Sequence, residues 1–114
     1  MTFTTNGYIG SGGTATISGD DDCGTLTLVT GTGSSYPGAI GQFFYGDRAV
    51  GAQVYGARFE IVPLNTAAKG LTFNLQDGGS PGGLSCKQDS GEIVMEVTAG
   101  LADSTTYTFA YSSV

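Results

Sequence analysis

Apolar and polar residues alternate along most of the chain with the two-residue period of β-strands. Thr14–Ser18 and Thr25–Thr30 alternate in this way on either side of Gly19–Gly24, whose glycines and aspartates stop both runs. Two alternating runs joined by a short Gly/Asp turn are typical of a β-hairpin. Leu26 and Leu28 fall on the same face of the second strand.

More strands are predicted in the rest of the chain, at Ile40–Tyr45, Gln53–Val62, Leu71–Leu75, Gly91–Thr98 and Thr105–Ser112. In the longest of these strands, the face predicted to be buried carries Tyr55, Ala57, Phe59 and Ile61. In the last strand, Tyr107, Phe109 and Tyr111 share a face. Pro63–Gly70 is the only stretch that could hold a helical turn, which Gly70 would end.

About seven or eight short strands at this spacing predict an all-β fold, a single small β-sandwich or jelly-roll-like domain. We place this domain at residues 14–114. Residues 1–13 are small, polar and glycine-rich, and we interpret them as an extended N-terminal arm or edge segment outside the core. Phe3, Tyr8 and Ile9 are isolated anchors within this arm.

The composition narrows the class of protein further. A chain of 114 residues is long enough for one domain with a small core. Only 12% of its residues are charged, which argues against intrinsic disorder. The net charge of -6 disfavours nucleic acid and anionic membranes as partners. No stretch resembles a membrane span or a signal peptide, so we expect synthesis in a cytoplasm.

The sequence contains no evident catalytic or metal-binding constellation. Histidine is absent, which removes the usual general base, the commonest metal ligand and the triads built on imidazole. Cys23 and Cys86 are the only cysteines, and we expect two reduced, partly buried thiols, with one disulfide as the alternative. Acidic residues lie near both, which would raise the pKa of a thiol and make it less nucleophilic.

The acidic residues also favour structural roles. Asp20–Asp22 suggests a calcium loop, but the EF-hand spacing and its closing glutamate are missing, so we favour a solvated turn. Glu92 and Glu96 are the best candidate carboxylate pair. Four residues apart on a strand, they would be about 13 Å apart, wider than the roughly 5 to 9.5 Å between glycosidase carboxylates. We therefore predict no enzymatic activity, no cofactor and no metal.

Two glycine-rich stretches and a set of aromatic residues are further candidates for binding sites. Gly10–Gly13 and Gly78–Gly83 lack the Lys-Ser/Thr of a phosphate-binding loop. Six aromatic residues could line a platform for carbohydrate or single-stranded nucleic acid: Tyr8, Tyr36, Phe43, Phe44, Tyr45 and Tyr55. Core and subunit-contact roles are favoured for them, because tryptophan is absent and the surface is negative.

Three stretches resemble a recurrent β-sandwich module of tailed-bacteriophage structural proteins. Gly13–Gly33 matches the opening GTATI-SG-D…GT-T-TG-G, Ile61–Ala68 matches I-V-P-N-AA, and Leu101–Tyr111 matches LA-STTYTF-Y. An aromatic strand also lies near the middle, and Gly78–Gly83 with Cys86 is an insertion relative to the pattern. Such modules are similar to head decoration (cement) proteins and to terminal domains of head or tail fibres. The resemblance implies a virion-surface β-sandwich, commonly trimeric.

The resemblance leads to two hypotheses. The first is a decoration protein on the outer surface of a phage head, bound to the major capsid protein. Phe3, Tyr8 and Ile9 would dock as an added strand at a capsid edge. The alternative is a fibre, spike or tail-tip module that binds host-surface glycans. In this hypothesis the loops Gly31–Gly38 and Gln76–Gly83 would carry the site, using Tyr36, Asp77 and Ser80.

A homotrimer would need a subunit contact, and the aromatic run Phe43, Phe44 and Tyr45 is the candidate, since large aromatic residues dominate interface energetics. Strand alternation predicts that Phe43 and Tyr45 fill the core and that only Phe44 is exposed. Phe44 is therefore the residue expected at the contact.

Overall fold

The computed structural model describes residues 1–46, 58–75, 84–86 and 92–113 of the chain. Within these residues the strands are β1 (Thr2–Thr5), β2 (Thr14–Gly19), β3 (Cys23–Val29), β4 (Gly38–Phe44), β5 (Arg58–Pro63), β6 (Phe73–Leu75), β7 (Leu84–Cys86), β8 (Glu92–Val97) and β9 (Thr106–Ser113). A 3₁₀ helix, Gly7–Ile9, follows β1, and the one-turn helix α1, Thr66–Lys69, follows β5. The predicted all-β class and the helical turn before Gly70 are confirmed.

The strands form two antiparallel sheets that pack as a small β-sandwich. One sheet has four strands in the order β1-β4-β8-β6, and the other has five in the order β2-β3-β9-β5-β7. The predicted hairpin is β2–β3, in which Ile17 lies opposite Leu26. Its turn begins at Gly19, where φ is +132° and a Cβ atom would collide with the carbonyl oxygen of Cys23, so glycine is required.

The core lies between the two sheets and consists of the side chains that the strands direct inward. The five-stranded sheet contributes Leu26, Leu28, Phe59, Ile61, Tyr107, Phe109 and Tyr111, all of them buried. The predicted inward face of β5 is confirmed at Phe59 and Ile61. The four-stranded sheet contributes Ile40, Phe43, Phe73, Leu75, Ile93, Met95 and Val97. Asn65 caps α1 by accepting the N–H of Ala68 at 2.9 Å. The small, buried Ala68 lets this turn pack onto the sandwich.

Three aromatic rings join the sheets across the core. The Phe43 ring of β4 lies 4.8 Å from that of Phe59 and 5.8 Å from that of Tyr111, measured between centroids. Phe59 and Tyr111 stack with only 11° between their planes. Phe43 and Tyr45 are buried whereas Phe44 between them is half-buried on the outer face, so the predicted alternation of this run is confirmed.

The N-terminal segment is part of the sandwich. β1 pairs with β4 at the edge of the four-stranded sheet, in a register that places Phe3 opposite Phe43. Ile9 is only 2% exposed and belongs to the core, so the prediction that this segment lies outside the core is wrong for Ile9. Gly10, with φ +86°, turns the chain tightly against Thr32 and thereby brings Ile9 inward. Strand β1 has only four residues, mostly threonine, so its alternation of apolar and polar residues is too short to predict that the segment packs on the core.

Some predicted features lie elsewhere or outside the described residues. Strand β7 was not predicted, and it pairs with β5 through only three residues, which is too short for periodicity to reveal. The strand predicted from Leu71 begins at Phe73. Residues 53–57 and the predicted loop Gln76–Gly83, with Asp77 and Ser80, lie outside the described residues.

The aromatic contact between the sheets predicts a large mutational effect. We expect Phe59→Ala to lower the free energy of unfolding by about 3–5 kcal/mol, because it opens a cavity against Phe43 and Tyr111. The exposed residue Val62 lies on the same strand, so Val62→Ala is the matched control and should change stability by about 0.5 kcal/mol or less. Urea unfolding followed by circular dichroism measures both. Equal effects of the two substitutions would contradict this role of Phe59.

Candidate functional site

The outer surface of the five-stranded sheet is rich in threonine. Strands β2, β3 and β9 each carry a Thr-x-Thr sequence whose middle residue points toward the core, so both threonines point outward. We define the threonine face as the outward residues of these three strands: Thr14, Thr16, Ser18, Cys23, Thr25, Thr27, Val29, Thr106, Thr108, Ala110 and Ser112. All of them are exposed or half-buried.

Strand register aligns these side chains into rows. Thr16 lies opposite Thr27, and Thr27 lies opposite Thr108, so three threonines cross the sheet in line. Side chains at such directly opposed positions have Cβ atoms about 4.5–5.5 Å apart. In the next row Val29 lies between Thr14 and Thr106. The face is therefore an ordered array of hydroxyl and methyl groups.

The threonine face carries no charged residue, although the chain has a net charge of -6. The nearest described carboxylates are at its margins, with Glu60 on β5 and Asp20 and Asp22 in the β2–β3 turn. Depletion of charge is a compositional feature of the central part of protein interfaces. A partner that covers this face therefore desolvates no charged side chain of the three strands.

The predicted docking residues do not form a joint surface. Phe3 packs its ring edge-on against Phe43, with centroids 4.8 Å apart, and Ile9 is buried. Tyr8 is exposed and lies at the loop end of the sandwich, where its ring covers Gly38. Phe44 is half-buried on the outer face of the four-stranded sheet, opposite Thr2 of β1. Its predicted role as a subunit contact stays a prediction.

The Asp20–Asp22 turn is more structured than predicted. Asp20 accepts the N–H of Cys23 at 3.2 Å and of Asp22 at 2.9 Å, and these bonds lower the pKa of its carboxyl. The hydroxyl of Tyr111 donates to the carbonyl oxygen of Asp20 at 2.6 Å. Both interactions fix the turn onto the sandwich. Among the described residues, no group of three or more acidic, cysteine or histidine side chains could hold a metal ion.

Asp21 contradicts the expectation of a solvated turn. It is only 2% exposed, and its carboxylate forms an ion pair with the amino group of Met1 at 2.7 Å. It also accepts the backbone N–H of Gly46 at 3.0 Å. Consecutive turn residues point in different directions, so only Asp21 of the three aspartates is directed toward Met1, which precedes the edge strand β1. The sequence held no signal for this partner, because the two residues are distant along the chain.

A second carboxylate holds the loop that follows β3. Asp103 accepts both the backbone N–H of Ser34, at 2.9 Å, and its hydroxyl, at 2.7 Å. These bonds, together with one from the backbone of Gly33, hold the pKa of Asp103 below its ordinary value of 3.8. Ser34 itself is fully buried. The loop 31–35 is therefore pinned to the β8–β9 connection.

Of the remaining candidates, the two whose side chains are described, Cys23 and Glu96, lie on different sheets. Cys23 carries a free thiol on the threonine face and is exposed, so the expectation of a partly buried thiol is wrong for it. Glu96 is half-buried on β8, opposite Asn74. The side chains of Glu92 and Cys86 lie outside the described residues. No concave pocket opens in the part of the chain that the structure describes.

The chain was compared with known proteins by sequence and by structure. Comparison of the chain with protein-family models, with curated proteins and with solved structures gave no match. No helix in the described ranges is long and apolar enough to cross a membrane. The resemblance to phage modules therefore rests on the sequence pattern alone.

The ion pair at Asp21 predicts a stability effect that depends on burial. We expect Asp21→Asn to lower the free energy of unfolding by about 3 kcal/mol, because it leaves the buried amino group of Met1 without its counter-charge. Asp22→Asn removes the same charge from the exposed neighbouring position and is expected to cost about 0.5 kcal/mol or less. Urea unfolding of both variants measures the difference. A similar loss in both would mean that turn charge, not the ion pair, stabilises the fold.

The lowered pKa of Asp103 predicts how stability depends on pH. A carboxylate whose pKa is lowered by folding stabilises the protein above its unfolded pKa, and this contribution disappears as the pH falls through the folded value. Asp103→Asn should therefore lower the melting temperature at neutral pH, and the difference from the wild type should narrow only below about pH 4. Thermal melts across this range test it. A difference that stays constant into strong acid would contradict the assignment.

Proposed function

We propose that this chain is a non-enzymatic structural protein of a tailed-phage virion. In this proposal it is a decoration (cement) protein that docks on the outer surface of the head and stabilises contacts between subunits of the major capsid protein. The observation that carries the proposal is the threonine face, a charge-free array on a strongly acidic chain. The sequence resemblance to virion-surface modules supports the choice of partner.

The threonine face replaces the N-terminal segment as the proposed docking surface. Phe3 and Ile9 are already engaged by the core, and removing them from it would expose apolar surface. The threonine side chains are already ordered on paired strands, so docking there costs little conformational entropy. Each docked copy binds only the assembled shell, so binding stabilises the assembly by mass action. A homotrimer that uses Phe44 as its contact belongs to the same proposal.

The copy number of the chain in purified virions is the first test. A decoration protein occurs at a ratio comparable to that of the major capsid protein, and quantitative mass spectrometry measures this ratio. A handful of copies per particle would contradict decoration and favour the fibre, spike or tail-tip alternative. Complete absence from the particles would overturn both virion functions.

A charge placed on the threonine face tests the docking surface. Thr27 lies at the centre of the face, and we expect Thr27→Glu to weaken binding to undecorated heads at least about tenfold, because it buries an unpaired carboxylate. Thr4→Glu makes the same change on exposed β1 of the other sheet and should bind as the wild type does. Co-sedimentation with heads measures binding, and thermal melts verify folding. Full binding by folded Thr27→Glu would exclude this face.

A further inference from the structure

We propose that Tyr8 and Tyr36 form a binding platform for neutral carbohydrate at the loop end of the sandwich. This inference goes beyond the proposed decoration function and does not depend on it. We define the tyrosine platform as these two side chains together with Gly38, which lies beneath Tyr8. The sequence offers both tyrosines among six aromatic residues for a carbohydrate platform but favours core or subunit-contact roles for them, whereas the structure places both exposed at the same loop end.

Contacts at Gly38 place the Tyr8 ring beside the backbone that carries Tyr36. A Cβ atom at Gly38 would lie 3.1 Å from Cζ of Tyr8 and 3.3 Å from both Cε atoms, so the outer half of the ring covers this glycine. Tyr36 precedes Gly38 by two residues, a distance of at most about 7 Å along the chain. Tyr8 is 41% exposed and Tyr36 is 63% exposed. Two tyrosines thus present aromatic surface to solvent on neighbouring backbone.

The backbone beneath Tyr8 is held by defined hydrogen bonds. The side-chain oxygen of Asn6 accepts the N–H of Tyr8 at 3.0 Å, and its amide nitrogen donates to the carbonyl oxygen of Ala39. The next residue, Ile9, is buried in the core, and its carbonyl oxygen accepts the N–H of Gly31 at 2.9 Å. A ring exposed on so constrained a segment loses little entropy when it binds a ligand.

The loop that carries Tyr36 is fixed on both sides of it. Ser34 is fully buried, and its hydroxyl donates to the carbonyl oxygen of Leu101 at 3.1 Å and to Asp103 at 2.7 Å. Ser35 passes so close to Gly100 that a Cβ atom there would collide with it. Beyond Tyr36, the chain enters β4 at Gly38. Both tyrosines therefore lie in segments whose backbone is fixed by hydrogen bonds and packing.

The chemistry around the tyrosine platform favours a neutral sugar. Residues 6–13 and 31–41 contain no charged side chain that would pair with a phosphate or a sialic acid, and the carboxylate of Asp103, held against Ser34, would repel both. Asn6 and Ser35 are exposed and polar, and they offer hydrogen-bonding groups beside the rings. A pyranose ring has an apolar C–H face that stacks on an aromatic ring and hydroxyls that bond to amides and hydroxyls.

A glycan array and a titration test this site. We expect the protein to bind neutral oligosaccharides on an array that also carries sialylated and sulfated glycans. Titration of the best oligosaccharide, followed by amide NMR, should shift the signals of Tyr8, Tyr36 and Gly38. Tyr36→Ala and Tyr8→Ala should each weaken binding at least about tenfold, whereas Tyr36→Phe, which keeps the stacking ring, should retain most of it.

Two controls separate this site from the rest of the molecule. Leu64 is 46% exposed outside the platform, so Leu64→Ala removes exposed apolar surface and should leave glycan binding unchanged. Thr27→Glu should also bind glycan normally, even where it fails to dock on heads. Absence of binding to every neutral glycan, binding only to acidic glycans, or full binding by folded Tyr36→Ala would each overturn the proposal. Binding of a proline-rich peptide in place of any sugar would overturn it as well.

Discussion

The packing of Phe43 against Phe59 and Tyr111 is the contact on which the rest of the structure depends, since it joins the two sheets. Neither sheet can bury its apolar face alone, and these rings supply much of the shared surface. Each ring is the inward residue of an alternating strand, so packing them together also directs the intervening residues outward. Burial of these rings therefore determines which residues of each sheet face solvent.

The N-terminal segment completes the sandwich through two different interactions. Phe3 extends the aromatic cluster by packing on Phe43, and the amino group of Met1 meets the carboxylate of Asp21 on the opposite sheet's hairpin. The hydrophobic contact is nondirectional, whereas the ion pair has a single geometry and is buried. β1 is therefore held at the edge of its sheet by a contact with each of the two layers.

Strands with several alternating residues could be predicted from sequence, and the short elements could not. The β2–β3 hairpin, the inward faces of β5 and β9, and the alternation of Phe43, Phe44 and Tyr45 all follow from the two-residue period. β1 and β7 contain too few residues to display it, and Ile9 enters the core through a turn at Gly10. The partners of Asp21 and the proximity of Tyr8 to Gly38 arise between residues distant in sequence, which no local pattern encodes.

The distribution of charge links the fold to both proposed surfaces. Alternation placed threonines on the outer face of β2, β3 and β9, and threonine suits an exposed strand because its β-branch favours extended backbone. That preference alone explains single threonines, but it does not explain why no charged residue interrupts three adjacent strands of a chain with a net charge of -6. Edge strands such as β2 usually carry charges that oppose association. A face without them is suited to being covered, and the segments that carry the proposed tyrosine platform likewise contain no charged side chain.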